Sequence, residues 1–225
     1  MCPQALSDVN APRAAKAADA AMEFIGAPRT MRSAAIREER FARLGEPHIR
    51  PLVDYVAQLR TSSGAEVPMF DPSDGGVNAR LLFLMEKPGP MTSAGGRGRA
   101  GSGFISRDND DPTAESTFKF MVEAAIPRQE TVLWNVIPGW NGTRRVTAEE
   151  LGCGIRAINS LLTLLPKVGV IVLVGRKAQR AEPLLRGAGL QVFRSSHPSP
   201  IVRASRRAEW DAIPRQWANA YAASL

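Results

Sequence analysis

The pattern of apolar and polar positions predicts a chain in which strands alternate with helices. Short runs of mostly branched apolar residues have the length of buried strands, and apolar residues at helical spacing follow most of them. The predicted strands cover residues 80–85, 131–137, 168–174 and 190–194, and the predicted helices cover residues 30–44, 49–60, 113–125, 147–165, 177–187 and 203–223. Because this alternation is typical of parallel crossover units, we expect a three-layer α/β/α sandwich with a central four-stranded parallel sheet.

The length of the chain favours one folded unit. Its 225 residues lie near the upper end of what one hydrophobic core organises, so we expect a loosely ordered N-terminal arm over residues 1–28 and a single domain over residues 29–225, as a monomer. No apolar run approaches the roughly 18 to 20 residues that cross a bilayer, so we expect no membrane partner. The N-terminus lacks the pattern of a secretory signal, which predicts a cytoplasmic protein.

The net charge and the cysteines narrow the function classes. A formal charge of +7 and a pI near 10.1 come mostly from arginine, whose planar donors suit phosphate groups. The partner is therefore a polyanion, or alternatively the chain belongs to a proteome in which arginine is common everywhere. The two cysteines, Cys2 and Cys153, exclude a disulfide framework and a four-thiolate metal site.

The loops that leave the carboxyl ends of the predicted strands carry unusual polar residues, and in such sheets ligands bind at these ends. The sharpest signal is the segment SSHPSP over residues 195–200, which places His197 directly after the last predicted strand, among serines and two prolines that rigidify the turn. A fixed imidazole there is suited to donating a hydrogen bond to a developing negative charge. The alternative is a histidine with a purely structural role in a turn.

Several of these segments are similar to a known family. The segments LFLMEKPG (82–89) and SHPSPI (196–201) resemble the first and second motifs of the uracil-DNA glycosylase superfamily. Gly103-Phe104-Ile105 resembles the segment that stacks on the extruded base, and Leu133-Trp134-Asn135 resembles the strand whose asparagine reads uracil. Residues 175–179 resemble a turn that holds DNA phosphate. The resemblance runs in order from Arg80 to the C-terminus and leaves residues 1–79 unassigned.

The resemblance implies roles for three side chains in excision of uracil. His197 would stabilise the negative charge on the O2 of the departing base. Asn135 would hydrogen-bond to N3–H and O4, provided that neighbouring groups fix its amide orientation. Phe104 would stack on the base, unless it is an ordinary core residue. At the base-binding position that holds a bulky tyrosine in the best-known branch, this chain has Gly89, so that barrier against thymine is missing.

The residue that positions the attacking water is less directly implied. The best-known branch has an aspartate where this chain has Lys87. The branch called family five places an acid a few residues after the stacking phenylalanine, which favours Asp108, with Asn109 next. Glu86, at the end of the first predicted strand, either takes part in catalysis or only orders the loop. Asp110 and Asp111 alternatively cap the next helix.

Cofactor and DNA contacts complete these expectations. Families four and five carry a four-cysteine iron-sulfur cluster, which two cysteines cannot hold, so we expect no cofactor and no metal. The glycine-rich loop 95–101 lacks the ending of a phosphate-binding P-loop and is interpreted as a basic loop against DNA, or alternatively as a solvated loop. The predicted DNA-contacting residues are Arg97, Arg99, Gly175, Arg176, Lys177, Ser196, Ser199, Ile201 and Arg203.

The sequence thus favours a monofunctional uracil-DNA glycosylase that acts on uracil-containing DNA, single- or double-stranded, and initiates base excision repair. Ile201 is the expected wedge that fills the gap left by the flipped base, unless it is buried in the core. Two alternatives stay open. One is a DNA-binding member of the same fold with weak or no activity, and the other is an α/β enzyme that acts on a small nucleotide or nucleoside.

Overall fold

The computed structural model describes residues 27–93, 101–185 and 189–225, and its main sheet has the predicted form. Four parallel strands lie in the order β4-β2-β5-β6. They are β2 (Leu81–Met85), β4 (Thr131–Asn135), β5 (Val170–Val174) and β6 (Gln191–Ser195). The prediction of a four-stranded parallel sheet in an α/β fold is confirmed.

The sheet is flanked by helices of very different lengths. They are α1 (Ala34–Ala42), α2 (Arg50–Ser63), α3 (Pro112–Glu123), α4 (Ala148–Thr163), α5 (Glu182–Leu185), α6 (Pro200–Ser205), α7 (Arg207–Asp211) and α8 (Ile213–Ala222). Two expectations were wrong in detail. The helix expected over 177–187 is a 3₁₀ segment (Ala178–Ala181) followed by the single turn α5, and the last helix is divided into α6, α7 and α8.

A second, two-stranded sheet was not expected. Strand β1 (Met69–Phe70) pairs in parallel with β3 (Phe104–Ile105), in a segment that the sequence pattern predicts to be a loop. Each strand has only two residues, which is too short for a visible alternation of apolar and polar positions. This pairing matters for the site because it decides which side of residues 104–105 faces the main sheet.

The core explains why the strand ends are well ordered. All residues of β4 and β5 are buried, and so are the first four of β2, as expected for parallel strands covered on both faces. At the end of the edge strand β6, the buried Trp217 donates a hydrogen bond from its indole Nε1 to Ser195 Oγ at 2.9 Å. Among the described residues, no helix is long and apolar enough to span a membrane.

A capping box starts α4. Thr147 Oγ1 accepts from Glu150 N at 3.1 Å, and Glu150 Oε2 accepts from Thr147 N at 2.9 Å. Register then sets the edge where chemistry occurs. Met85 lies beside Asn135, and Val174 lies beside Ser195, so the carboxyl ends of all four strands meet.

Candidate active site

A cleft of about 770 Å³ opens at the edge where the four parallel strands end. It brings together most of the residues that the sequence singles out: Glu86, Gly89, Asn109, Asn135, Gly175, Arg176, Lys177, Ser196, His197, Ser199 and Ile201. Phe104, Asp108 and Arg203 do not line it. Arg97 and Arg99 lie outside the described residues, as does most of the predicted N-terminal arm.

His197 follows β6 on a tight turn and is half-buried in the cleft. The amide of Ser199 donates to the His197 carbonyl at 2.8 Å, which fixes the backbone on both sides of Pro198. Burial lowers the pKa of His197, and the nearby carboxylates of Glu86 and Asp111 only partly oppose this effect. The imidazole is therefore neutral at neutral pH, with one N–H available as a donor.

Gly175 allows Glu86 and His197 to approach each other. Its φ is +93°, a conformation that L side chains rarely adopt, and it ends β5 at the cleft. A Cβ at this position would lie 2.7 Å from Glu86 Oε1 and 3.1 Å from His197 Cβ. The space left by the missing side chain lets Glu86 Oε1 accept a hydrogen bond from Lys177 N at 3.2 Å.

Asn135 ends the edge strand β4 and lines the cleft. Only 4% of the residue is exposed, and β4 places it directly beside Met85 of β2. Within the described part of the chain, its side-chain amide has no hydrogen-bond partner, so both its oxygen and its nitrogen are available to a ligand. The neighbours that the sequence analysis requires to fix its orientation are not found among these residues.

Asn109 is the amide whose orientation is fixed. It is 2% exposed and lines the cleft, and its Nδ2 donates to the carbonyl oxygen of Phe104 at 2.9 Å. Its Oδ1 is buried and accepts no hydrogen bond from any residue that the structure describes. A buried acceptor without a partner is costly, which makes Oδ1 a candidate acceptor for water or substrate.

A sequence profile of the Uracil DNA glycosylase superfamily matches residues 72–219. The chain belongs to this superfamily. Among solved structures, the wild-type UNG crystal structure from Nitratifractor salsuginis is 11% identical, with 95% of this chain and 98% of that chain covered and a TM-score of 0.39. A point mutant of that UNG is 12% identical, with 89% and 96% covered and a TM-score of 0.39. No curated protein matches the chain.

Asp108 was expected in the active-site cleft, but the structure places it outside. It is fully buried, and its Oδ2 accepts hydrogen bonds from Arg128 Nη1 at 2.7 Å and Arg40 Nη2 at 3.3 Å. The two guanidinium groups draw the carboxylate away from the strand ends. Asp108 is therefore not placed to contact an attacking water, which corrects the expectation from the sequence.

Asp108 belongs to a buried ionic cluster, defined here as Arg40, Asp71, Asp74, Arg107, Asp108 and Arg128. Although burial opposes ionisation, Arg128 and Arg40 hold the pKa of Asp71 at about 2. Ser106 Oγ donates to Asp71 Oδ2 and accepts from Asp108 N at 2.9 Å. The buried ionic cluster thereby fixes the loop that carries Asn109.

Phe104 also lies outside the cleft. Its side chain is fully buried, and its ring centroid lies 4.5 Å from that of Phe41 on α1. Because successive residues of a strand face opposite sides, the next residue, Ile105, lines the cleft instead. The alternative of a core phenylalanine therefore describes Phe104, and the described lining of the cleft contains no Phe, Tyr or Trp side chain.

The contacts of Asp111 and Lys87 show a structural role for each residue. Asp111 caps α3, where its Oδ1 accepts from Thr113 N at 2.8 Å and Ala114 N at 3.0 Å, as the capping alternative predicts. It also lines the cleft, and burial raises its pKa. The side chain of Lys87 is 4% exposed, and its Nζ lies 2.6 Å from Glu150 Oε1. Lys87 therefore ties the first motif to α4.

The rim of the cleft is exposed and basic. Arg176 and Lys177 are exposed after β5, and Ile201 is 72% exposed on α6, so the alternative of a buried Ile201 is wrong. Arg203 is exposed on the same helix beyond the cleft. The sequence analysis missed Arg206 and Glu209, which also line the cleft; their i, i+3 spacing after the second motif was the available signal.

Proposed function

We propose that the protein is a monofunctional uracil-DNA glycosylase, which extrudes uracil from DNA and hydrolyses the bond between base and sugar. The main support is the single cleft that holds the neutral imidazole of His197, the available amide of Asn135 and the oriented acceptor Asn109 Oδ1. Superfamily membership supports the same reaction class. The reaction is a hydrolysis and needs no redox or group-carrying cofactor.

His197 is the proposed stabiliser of the leaving group. When the glycosidic bond breaks, both electrons go to the base, and the uracil anion carries negative charge on O2. The neutral imidazole of His197 donates its N–H to this oxygen, and the donor is held by the Ser199–His197 backbone contact before the reaction begins. Donors that are aimed in advance at developing charge lower the barrier more than they improve ground-state binding.

Asn135 and Ile105 are the proposed base-binding residues. Asn135 has one acceptor and two donors, which match N3–H and O4 of uracil. The uracil itself orients the amide, since none of the described residues does so. Ile105 supplies an apolar surface against the face of the base, the part that the sequence analysis assigned to Phe104.

Asn109 is the proposed ligand of the attacking water. Its Oδ1 accepts one hydrogen bond from water, while the contact from Nδ2 to the Phe104 carbonyl fixes the orientation of the amide. The transition state has oxocarbenium character, so the sugar bears positive charge when water attacks. The carboxylates of Glu86 and Asp111 line the same cleft and stabilise that charge.

The exposed rim is the proposed DNA-binding surface. Arg176, Lys177 and Arg203 contact phosphates, and so does Ser199, which directly precedes α6 and lies two residues after His197. Ile201 enters the space that the extruded base leaves in the stack. Removal of uracil in this way is the first step of base excision repair.

The deciding experiment uses end-labelled oligonucleotides, single- and double-stranded, with one uracil. The wild-type protein should produce strand breaks only after alkali, because a monofunctional enzyme leaves an intact abasic strand. Thymine- and cytosine-containing strands are the substrate controls, and His197→Ala is the protein control, with an expected loss of about 100-fold or more. If excess wild-type protein produces no alkali-labile sites in either uracil substrate, the proposal is wrong.

A further inference from the structure

Glu209 makes an unexpected contact beside the second motif. Ser196, directly before His197, donates from its hydroxyl to Glu209 Oε2 at 2.6 Å. The same carboxylate oxygen accepts from Arg206 Nη1 at 3.0 Å. All three side chains line the cleft, so the Glu209 carboxylate occupies donors at the rim where DNA is proposed to lie.

The Glu209 carboxylate lies among cations. Arg206 is its ion-pair partner, and Arg144, Arg176 and Lys177 line the same cleft, together with the carboxylates of Glu86 and Asp111. The hydrogen bond from Ser196 lowers the pKa of Glu209, and Arg206 and Arg176 act in the same direction. Glu209 is therefore ionised at neutral pH, and it presents to Ser196 and Arg206 the same anionic oxygen chemistry as a phosphate diester.

We propose that the Glu209 carboxylate competes with DNA for two donors: it holds Ser196 and Arg206 until a DNA phosphate displaces it. The inference rests on the proposed glycosylase function. The side chain of Glu209 is 46% exposed and that of Arg206 is 31% exposed, and ion pairs at such positions are weak. A phosphate brought in by a bound nucleotide can therefore replace the carboxylate, whereas transient backbone contacts meet a like charge.

The chain offers a matched control on the same helix. Asp211 pairs with Arg207 at 2.8 Å, and both side chains are more than half exposed. Neither residue lines the cleft. Replacing Asp211 by alanine therefore removes one negative charge from α7 without freeing a donor at the rim.

The experiment compares Glu209→Ala with Asp211→Ala by fluorescence anisotropy. The probe is a duplex with one 2′-fluoro-2′-deoxyuridine, whose fluorine disfavours positive charge on the sugar and so prevents turnover during the measurement. Glu209→Ala should tighten binding by about 3- to 10-fold relative to Asp211→Ala. Its affinity should also fall more steeply with salt, by about one additional phosphate contact. Glu209→Gln, which keeps an acceptor but loses the charge, should give an intermediate gain.

A double variant tests the mechanism of that gain. In a Ser196→Ala background, Glu209→Ala should gain less than it does in the wild type, because one of the freed donors is gone. The inference is overturned if Glu209→Ala binds no more tightly than Asp211→Ala, or if its gain is undiminished without Ser196. Wild-type protein that releases uracil would then leave the proposed function standing, whereas wild-type protein that neither binds nor cleaves uracil DNA would refute both.

Discussion

Arg128 Nη1 donates to Asp108 Oδ2 at 2.7 Å, and this contact separates the two adjacent residues Asp108 and Asn109 into different roles. The carboxylate of Asp108 is turned into the buried ionic cluster, where Arg40 also reaches it. The amide of Asn109 lines the cleft with an acceptor that is free of described partners. Asp108 is thus a positioning residue, and Asn109 is the proposed contact to the attacking water.

Substitutions at these two positions should affect different properties: catalytic rate at Asn109 and stability at Asp108. Asn109→Ala should lower the single-turnover rate of uracil release by about 100-fold, the loss typical of a misplaced catalytic group, with little effect on stability. Asp108→Ala should reduce the free energy of unfolding by about 3–5 kcal/mol, because it leaves the buried charge of Arg128 without this partner. Urea denaturation and single-turnover assays at saturating enzyme measure the two effects.

The conservative variant Asp108→Asn distinguishes the two roles further. If it folds with near wild-type stability and loses as much rate as Asn109→Ala, then Asp108 acts on the water after all. A rate close to wild type in the folded fraction would support the positioning role.

The contrast between these residues shows what the sequence could and could not predict. Three strand ends were predictable to within one residue, since the strands predicted to end at residues 85, 174 and 194 end at Met85, Val174 and Ser195. The strand predicted over 131–137 ends earlier, at Asn135, because Val136 and Ile137 continue the apolar run beyond the strand. The direction of Asp108 was not predictable, since Arg40 lies 68 residues and Arg128 20 residues away along the chain. Such partners follow from tertiary packing, which leaves no local pattern.

Which of residues 104 and 105 lines the cleft could not be predicted for a related reason. The resemblance assigns the base contact to Phe104, but the side chain that faces the cleft depends on the register of β3 against β1. Met69 pairs with Phe104 and Phe70 with Ile105, and this turns Phe104 towards Phe41. No periodicity is visible in a two-residue strand, so only the structure decides between the two side chains.

A pair of alanine variants tests this reassignment. Phe104→Ala should lower the free energy of unfolding by about 3–5 kcal/mol, the usual cost of emptying a buried aromatic site. Ile105→Ala should raise the KM for uracil DNA while the fold persists, because it removes apolar surface beneath the base. Thermal denaturation and steady-state kinetics report these outcomes. The reassignment fails if folded Phe104→Ala has the higher KM and Ile105→Ala has wild-type kinetics.

The neutral state of His197 predicts a change in the pH dependence of stability. Burial places its pKa in the folded protein below the unfolded value near 6.5, so the unfolded chain binds more protons between these two values. Stability from this residue is complete above about pH 6.5 and is lost as the pH falls through the folded pKa. The free energy of unfolding should therefore decline less from about pH 7 to 5 in His197→Ala than in the wild type.

Comparing the pH profiles of His197→Ala and wild-type protein isolates the contribution of His197. Other groups titrate in the same range, above all Asp74, whose pKa burial raises to about 6, but they are common to both proteins and cancel in the difference. His48 lies outside the cleft that contains His197, so His48→Ala serves as the histidine control. Parallel pH profiles for His197→Ala and wild type would show that His197 is not desolvated.

Ile201 carries the last prediction, because its exposure is unusual and its support is rigid. Ile201 is 72% exposed at the rim. The next residue, Val202, is only 3% exposed and anchors α6 in the core. An apolar side chain held in this way can fill the gap that an extruded base leaves in a duplex, whereas a single strand has no stack to fill. Ile201→Ala should therefore reduce uracil excision more in duplex than in single-stranded DNA.

The matched control is Val122→Ala, which also shortens an exposed apolar side chain. Val122 is 50% exposed on α3 and does not line the cleft, so this variant should leave the ratio of the two rates unchanged. Equal losses on both substrates for Ile201→Ala would show that the wedge is another residue of α6.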